Sequence, residues 1–333
     1  MANLILTHRC TLKCDYCFAL DFVRQATTGG SEVSFDVFEA YIDFLDRSGL
    51  QEARLLGGEP TLHQEFARLV RYAHLRGKKV TVFSNGLMPK PALQVLMEIP
   101  PEQCTVLINL AAGESLPQAR RRQINVMRQL AQRACPGYTI SQVTTSNLTS
   151  MLDTIDESGC RRSLRIALAQ PADSQNKYIH PKQYHMLASR IVTLATEAQR
   201  RAIHLEFDCG FVRCMFSEED LQNLRESNVS TDWHCSPVVD IDIDGTVFPC
   251  FALSGRLRIQ NGFMRSAESL RKDFDYLVAV LRVAGIFPEC STCELRVAER
   301  CSGGCLAAAL RRMQKMPIAF SMQAEDAKAF LQT

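Results

Sequence analysis

The chain of 333 residues has almost no net charge, because 38 lysines and arginines stand against 36 aspartates and glutamates. That balance excludes the broad basic field with which proteins grip phosphate backbones regardless of sequence, so no nucleic-acid partner is expected. The short basic runs Arg120-Arg121-Arg122, Arg161-Arg162 and Arg200-Arg201 each abut an expected helix and read as solvated faces. Apolar residues nowhere run to the ~20 needed to cross a bilayer. The opening stretch MANLILTHRC lacks the basic and then apolar segments of a secretory leader. No membrane partner is expected, and the expected location is the cytoplasm. Internal repeats and low-complexity tracts are also missing. The chain is 46% hydrophobic and long enough for one large unit and one smaller one.

Cysteine is in excess. Fourteen cysteines in a reducing compartment are not expected to pair as disulfides, and where they cluster they point to metal or redox chemistry. Cys104, Cys135 and Cys160 stand apart from the clusters and read as buried packing.

Up to about residue 207, β-rich runs alternate with amphipathic helical stretches, the pattern of βα units around a parallel sheet. Strands are expected over 3–7, 53–56, 79–84, 105–110, 138–145 and 163–167, with a further one over 203–207. The first long helix has Ser34 as its cap and Phe35, Phe38, Ile42 and Leu45 on one face. Further helices are expected over 63–76, 119–133, 147–157 and 181–200. Loops leaving the C-terminal ends of parallel strands converge on one face, where a site is sought. There lies Cys10-Thr11-Leu12-Lys13-Cys14-Asp15-Tyr16-Cys17. Three thiolates can hold three irons of a cubane and leave the fourth open to a small chelating molecule. Zinc binding or simple burial are the competing readings.

The spacing Cys-x3-Cys-x2-Cys, with an aromatic residue before the last cysteine, resembles the signature of the radical S-adenosylmethionine (SAM) superfamily. Leu55-Leu56-Gly57-Gly58-Glu59-Pro60 resembles its GGEP motif. The resemblance implies an α/β fold, a partial (β/α)6 barrel, with a [4Fe-4S] cluster on Cys10, Cys14 and Cys17 whose open iron binds S-adenosyl-L-methionine. It implies reductive cleavage to a 5′-deoxyadenosyl radical, hydrogen abstraction from carbon, and a reduced flavodoxin- or ferredoxin-like electron donor. Cofactor contacts are implied for Gly57, Gly58, Glu59 and Pro60, for Ser84 and Asn85, for Asn109, and for Tyr16 beside the adenine. Asn85, followed by Gly86, reads equally as a turn residue, and Asn109 as an ordinary strand-end hydrogen-bonding group.

Beyond residue 208 the alternation stops and eight cysteines follow: Cys209, Cys214, Cys235, Cys250, Cys290, Cys293, Cys301 and Cys305. Asp244-Gly245, Asn261-Gly262 and Ser302-Gly303-Gly304 are turn signals that break the region into short pieces with little core, so inorganic cross-links are expected to supply stability. We therefore expect a core barrel over 1–207 and a smaller, irregular unit over 208–333 with a C-terminal helical tail. Cys235-x9-Gly245-x4-Cys250 and Cys290-x2-Cys293-x7-Cys301-x3-Cys305 resemble the two halves of the SPASM motif, apart from a middle gap two residues longer. The resemblance implies one or two auxiliary iron–sulfur clusters, two [4Fe-4S] being the expectation. Cys235, Cys250 and Cys305 would serve the first with Cys209 or Cys214, and Cys290, Cys293 and Cys301 the second. The motif's last cysteine is missing, which leaves Cys209, Cys214, Asp326 or an open iron to complete the second cluster.

Proteins with this motif mostly modify peptides or proteins by cross-linking, side-chain oxidation or epimerisation, so a peptide or protein substrate is expected. The chain reaches its first expected strand at once, without the winged-helix peptide-binding domain of many such enzymes, which counts against a peptide. The alternatives are a radical dehydrogenase of a small molecule or cofactor intermediate, and a non-catalytic zinc or iron–sulfur protein for binding or electron transfer.

Overall fold

The computed structural model describes residues 1–25, 31–110, 117–144, 148–172 and 176–314. Seven strands follow the sequence in strict order across the sheet: β1 (Ala2–Thr7), β2 (Glu52–Gly57), β3 (Lys79–Ser84), β4 (Cys104–Asn109), β5 (Ala134–Ile140), β6 (Ser163–Leu168) and β7 (His204–Phe207). Each pairs in parallel with the next. Between them run α1 (Leu20–Gln25), α2 (Phe35–Arg47), α3 (Phe66–Leu75), α4 (Lys90–Glu98), α5 (Pro117–Leu130), α6 (Ser150–Ser158) and α7 (His185–Arg200). Parallel crossovers are right-handed, so an order that never reverses sends every helix to the same face and curls the sheet towards a barrel. The fold is the partial α/β barrel that the resemblance implied.

Helix α2 forms as its sequence dictates: the Ser34 hydroxyl accepts from the Val37 amide, and Phe38, Tyr41, Ile42, Phe44 and Leu45 are buried. Two elements depart from expectation. Strand β5 begins at Ala134 and not near 138, because Pro136 and Gly137, a turn signal on their own, lie opposite Ile108 and Arg165 in the ladder; tertiary pairing overrides local propensity. Strand β5 ends at Ile140, short of the expected 145, and residues 141–144 are not strand; positions 145–147, where the next helix was expected to start, lie outside the described residues. Helix α4 went unanticipated because prolines flank its start, although proline fits the first helical turn.

The C-terminal region is better ordered than its turn signals suggest. It contains α8 (Glu218–Glu226), α9 (Ala267–Ala284), α10 (Glu294–Val297) and α11 (Leu306–Met313). The 18 residues of α9 are capped by Ser266 and bury Leu270, Phe274, Val278 and Leu281 along one face, which corrects the expectation of short pieces with little core. Strands β8 (Val239–Ile241) and β9 (Val247–Phe248) form a hairpin, and β8 pairs in parallel with the free edge of β1. The sheet therefore continues across the boundary expected near residue 208. Among the described residues no helix is long and apolar enough to cross a membrane.

Where the two parts meet, the carboxylate of Asp240 on β8 accepts from Asn3 Nδ2 on β1 at 2.6 Å. Asn3 Oδ1 in turn accepts from Arg54 Nε at 2.8 Å. Burial pushes Asp240 up to about 7 despite these partners. Because that value lies above the ordinary ~3.9 of an unfolded aspartate, the native chain binds the extra proton, and stability falls as pH rises from about 4 to about 7. Asp240→Asn is expected to flatten this slope, which reaches at most about 1.4 kcal/mol per pH unit. Urea unfolding across that window measures it, and an unchanged slope in the variant would refute the assignment.

Candidate functional site

The first feature at the C-terminal edge of the sheet is a close backbone approach. Gly58 N donates to Thr7 O at 2.8 Å and Glu59 N to Arg9 O at 2.7 Å. A Cβ on Gly57 would lie 2.3 Å from Thr7 O, and one on Gly58 2.4 Å from Arg9 O. The glycine pair thus exists because the end of β2 presses against the chain that leads from β1 to Cys10. Glu59 then turns inward, fully buried. It accepts from Thr61 Oγ1 at 2.6 Å, Ser84 Oγ at 2.9 Å and the Asn85 amide at 2.7 Å. Desolvation raises its pKa, while these donors oppose the rise. Its carboxylate fastens the ends of β2 and β3, and Pro60 starts the buried turn behind it.

The loop after β1 brings Cys10, Cys14 and Cys17 together, each thiol of the partly buried trio within electrostatic reach of another. Donors surround the sulfurs. Leu12 N approaches Cys10 Sγ at 3.4 Å and Asn85 Nδ2 approaches it at 3.8 Å. The Tyr16 hydroxyl donates to Cys14 and the Ala19 amide to Cys17. Burial raises all three thiols, Cys17 to about 11, so a metal is what would hold them as thiolates at neutral pH. Tyr16 accepts from Asn109 Nδ2 at 3.0 Å, and Asn109 Oδ1 accepts from Thr139. Both side chains are thereby engaged in fixing the loop.

Sequence reasoning missed three residues that complete this edge. Asn176 Nδ2 donates to Tyr16 O and to Gln170 O, each at 2.9 Å. Lys177 clasps Asp15 twice, amide to carbonyl and ammonium to carboxylate, both at 2.7 Å. Gln123, fully buried on α5, donates to Asn85 O at 2.6 Å and Asn109 O at 3.1 Å. A glutamine beside Ile124 and Met127 on an apolar stripe was the available signal for the last; the first two lie in a loop whose folding back no local pattern announces.

The eight C-terminal cysteines separate into two groups. Cys209 lies within electrostatic reach of Cys235 and Cys250, and Cys305 of the same two. Cys214 lies within reach of Cys290, Cys293 and Cys301. Amides again point at sulfur: Leu306 to Cys235, Ala252 and Leu253 to Cys250, Gly303 and Gly304 to Cys301, and Ala308 to Cys305. Two of these amides belong to the first turn of α11, where backbone N–H groups lack helical partners and favour negative charge. By contrast Cys104, Cys135 and Cys160 are buried, and Cys160 itself donates to the Arg161 carbonyl at 3.6 Å. Asp326 lies outside the described residues.

The model of the Radical SAM superfamily matches residues 4–145, from β1 through the cysteine loop and Gly57-Gly58 to the end of β5. Over these residues the chain carries a radical SAM domain. The family implies a [4Fe-4S] cluster and S-adenosylmethionine. Over 103 residues the chain is 40% identical to an S-adenosylmethionine-dependent nucleotide dehydratase of Selenomonas ruminantium, covering 30% of this chain and 33% of that protein. Over 86 residues it is 41% identical to the PqqA peptide cyclase of Rhodopseudomonas palustris, covering 26% and 22%. The chain thus spans a third or less of these curated relatives. Streptococcus suis SuiB bound to S-adenosylmethionine superposes with a TM-score of 0.66 at 17% identity, over 93% of this chain and 74% of that one, a likeness of fold that extends beyond the radical SAM domain.

Glu59→Gln tests the fastening of β2 to β3. An amide would set its own donor against those of Thr61, Ser84 and Asn85, and a loss of about 1–3 kcal/mol is expected in urea unfolding of the metal-free chain. An unchanged midpoint would contradict it.

Proposed function

We propose that the chain is a radical SAM enzyme with two auxiliary iron–sulfur clusters, each [4Fe-4S], that oxidatively modifies a peptide or protein. One observation carries this reading: eleven cysteines fall into sets of three, four and four, while three others are packed in the core. Donors aimed at sulfur suit thiolates, whose charge they stabilise and whose clusters they tune. Among the described residues no three His, Cys, Asp or Glu side chains converge on a point where a single ion would sit. A cubane core differs from a lone tetrahedral ion in that each sulfur meets a different metal.

Cys10, Cys14 and Cys17 would hold the [4Fe-4S] cluster with the open iron, and the Gly57-Gly58 edge, Asn85, Asn109 and Tyr16 would border the place where S-adenosyl-L-methionine would lie, with the buried Glu59, Pro60 and Ser84 behind that edge. When bound, these groups supply a 5′-deoxyadenosyl radical that takes a hydrogen atom from carbon, and auxiliary clusters supply an acceptor for the electron left behind. The protein's own part is to hold the cysteine loop rigid, through Asn109, Asn176 and Lys177, and to bring a substrate carbon to a fixed place. Reducing electrons would arrive from a flavodoxin- or ferredoxin-like donor.

The matched segment underlies relatives named for nucleotides and for peptides alike, so it does not choose between them. A cavity of about 200 Å³ lies just beyond the first cysteine loop. It opens between Phe18, Asp21 and Phe22, just after Cys17, and Phe251, Ser254 and Arg258, just after Cys250. The resemblance of the C-terminal cysteines to the SPASM motif, whose proteins mostly modify peptides, is what favours a peptide.

Anaerobically reconstituted protein with reductant and S-adenosylmethionine is expected to form 5′-deoxyadenosine. Joint replacement of Cys10, Cys14 and Cys17 by alanine should remove about four irons per chain and all of that product; continued cleavage would sink the proposal. Deuterium passing from a labelled candidate peptide into 5′-deoxyadenosine identifies the substrate class, and transfer from a metabolite instead would reject the peptide assignment.

A further inference from the structure

The SPASM pattern takes the last ligand of its second cluster from a cysteine downstream of the four-cysteine run, and in this sequence none follows Cys305. The loop between β7 and α8 offers a replacement. Phe207 stacks on Phe211 with ring centroids 4.2 Å apart and lies 5.9 Å from Phe216. Trp233 closes the group at 6.3 Å from Phe207 and 6.0 Å from Phe216. The phenylalanines are buried while Cys209 and Cys214 are exposed residues, so the loop winds round an aromatic core and leaves both cysteines outside it. Leu168 N donates to Cys209 O at 2.9 Å and pins the start of the loop to the end of β6.

The same aromatic core is tied to the segment that carries Cys301. Ser302 N donates to Trp233 O at 3.3 Å, Cys235 N donates to Ser302 Oγ at 2.7 Å, and His234 Nε2 lies 2.9 Å from Glu299 O. Cys214 is therefore held by a bracket fastened to the strip of chain that presents Cys301. The buried Tyr184 marks the seam, with Cys305 of one group and Cys214 of the other both within reach of its phenol. Gly285 serves the second group from the far side: a Cβ there would fall 2.3 Å from Cys290 Cβ and 2.6 Å from its sulfur.

We infer that Cys214 is the fourth ligand of the second auxiliary cluster, beside Cys290, Cys293 and Cys301, and that Cys209 completes the first, beside Cys235, Cys250 and Cys305. One loop then feeds both clusters. Each auxiliary iron has its own thiolate and neither cluster keeps a position for a substrate atom. This inference rests on reading the eight cysteines as ligands of two clusters.

The full-length chain with Cys10, Cys14 and Cys17 replaced by alanine separates the two claims. After anaerobic reconstitution it should hold about eight irons; essentially no iron would overturn the two-cluster reading itself. In that background Cys214→Ala and Cys290→Ala should produce the same change in the electron paramagnetic resonance spectrum: loss of one reduced-cluster signal and appearance of a three-iron signal on oxidation. Cys209→Ala and Cys250→Ala should share a different change. Cys214→Ser, which keeps an oxygen ligand, should retain four irons at the altered site with a shifted signal, and it serves if the alanine variant fails to fold. Wild-type spectra and iron content in both Cys214 variants, or a Cys214→Ala spectrum matching that of Cys250→Ala, would overturn the inference.

Discussion

Strand β1 is the constraint on which the rest of the structure depends. It pairs with β2 on one side and β8 on the other, and its end runs straight into the cysteine loop. The two backbone hydrogen bonds that the Gly58 and Glu59 amides donate to the Thr7 and Arg9 carbonyls fix where that loop starts. Glu59 passes the same fixation to β3 through Ser84 and Asn85, and Gln123 passes it to the end of β4. A displacement of β1 would move the cysteine triad, the glycine edge and the hairpin of the C-terminal region together. Asp242 just beyond β8 reinforces the link, since His8 Nε2 lies 2.7 Å from its carboxylate and Arg258 donates to the other oxygen at 2.8 Å.

Charge explains the arrangement of the cysteines. A thiolate in a partly buried place needs either a metal or donors, and these sulfurs have donors aimed at them. Amides of loops and of the first turn of α11 point at them, as do the Tyr16 hydroxyl and the Asn85 amide. The packed cysteines have other partners: Cys160 gives its proton to the Arg161 carbonyl, and Cys135 sits 3.5 Å from the Ser163 hydroxyl, where either group can donate. The two populations differ in surroundings more than in burial, as Cys305 is itself buried.

Much of this was legible in the sequence. Alternating β runs and amphipathic helices gave the parallel sheet, and Ser34 with Phe38 and Ile42 marked α2 correctly. The triad and Gly57-Gly58 stood out because their spacing is local. What spacing could not supply was pairing across distance. Asn176 meets Tyr16 across 160 positions, and nothing near residue 176 records that meeting. The partners of Cys209 and Cys214 are likewise set by the aromatic core beneath them, which forms only when Trp233 returns to Phe207. Attention to cysteines and turns also obscured Leu270, Phe274, Val278 and Leu281, an ordinary helical stripe. In β5 a Pro-Gly pair spoke for a turn that its neighbours in the ladder overruled.

The position of β1 has a bearing on how the chain is made. Asn3 and Asp240, which meet across the β1–β8 seam, lie 237 positions apart, so one edge of β1 has no partner until synthesis has run on to β8. Strands β2 to β7 can add one after another to its other edge, each closing a short loop. During that interval the open edge is a template for other chains. Nascent protein held short of β8 is therefore the form most exposed to aggregation.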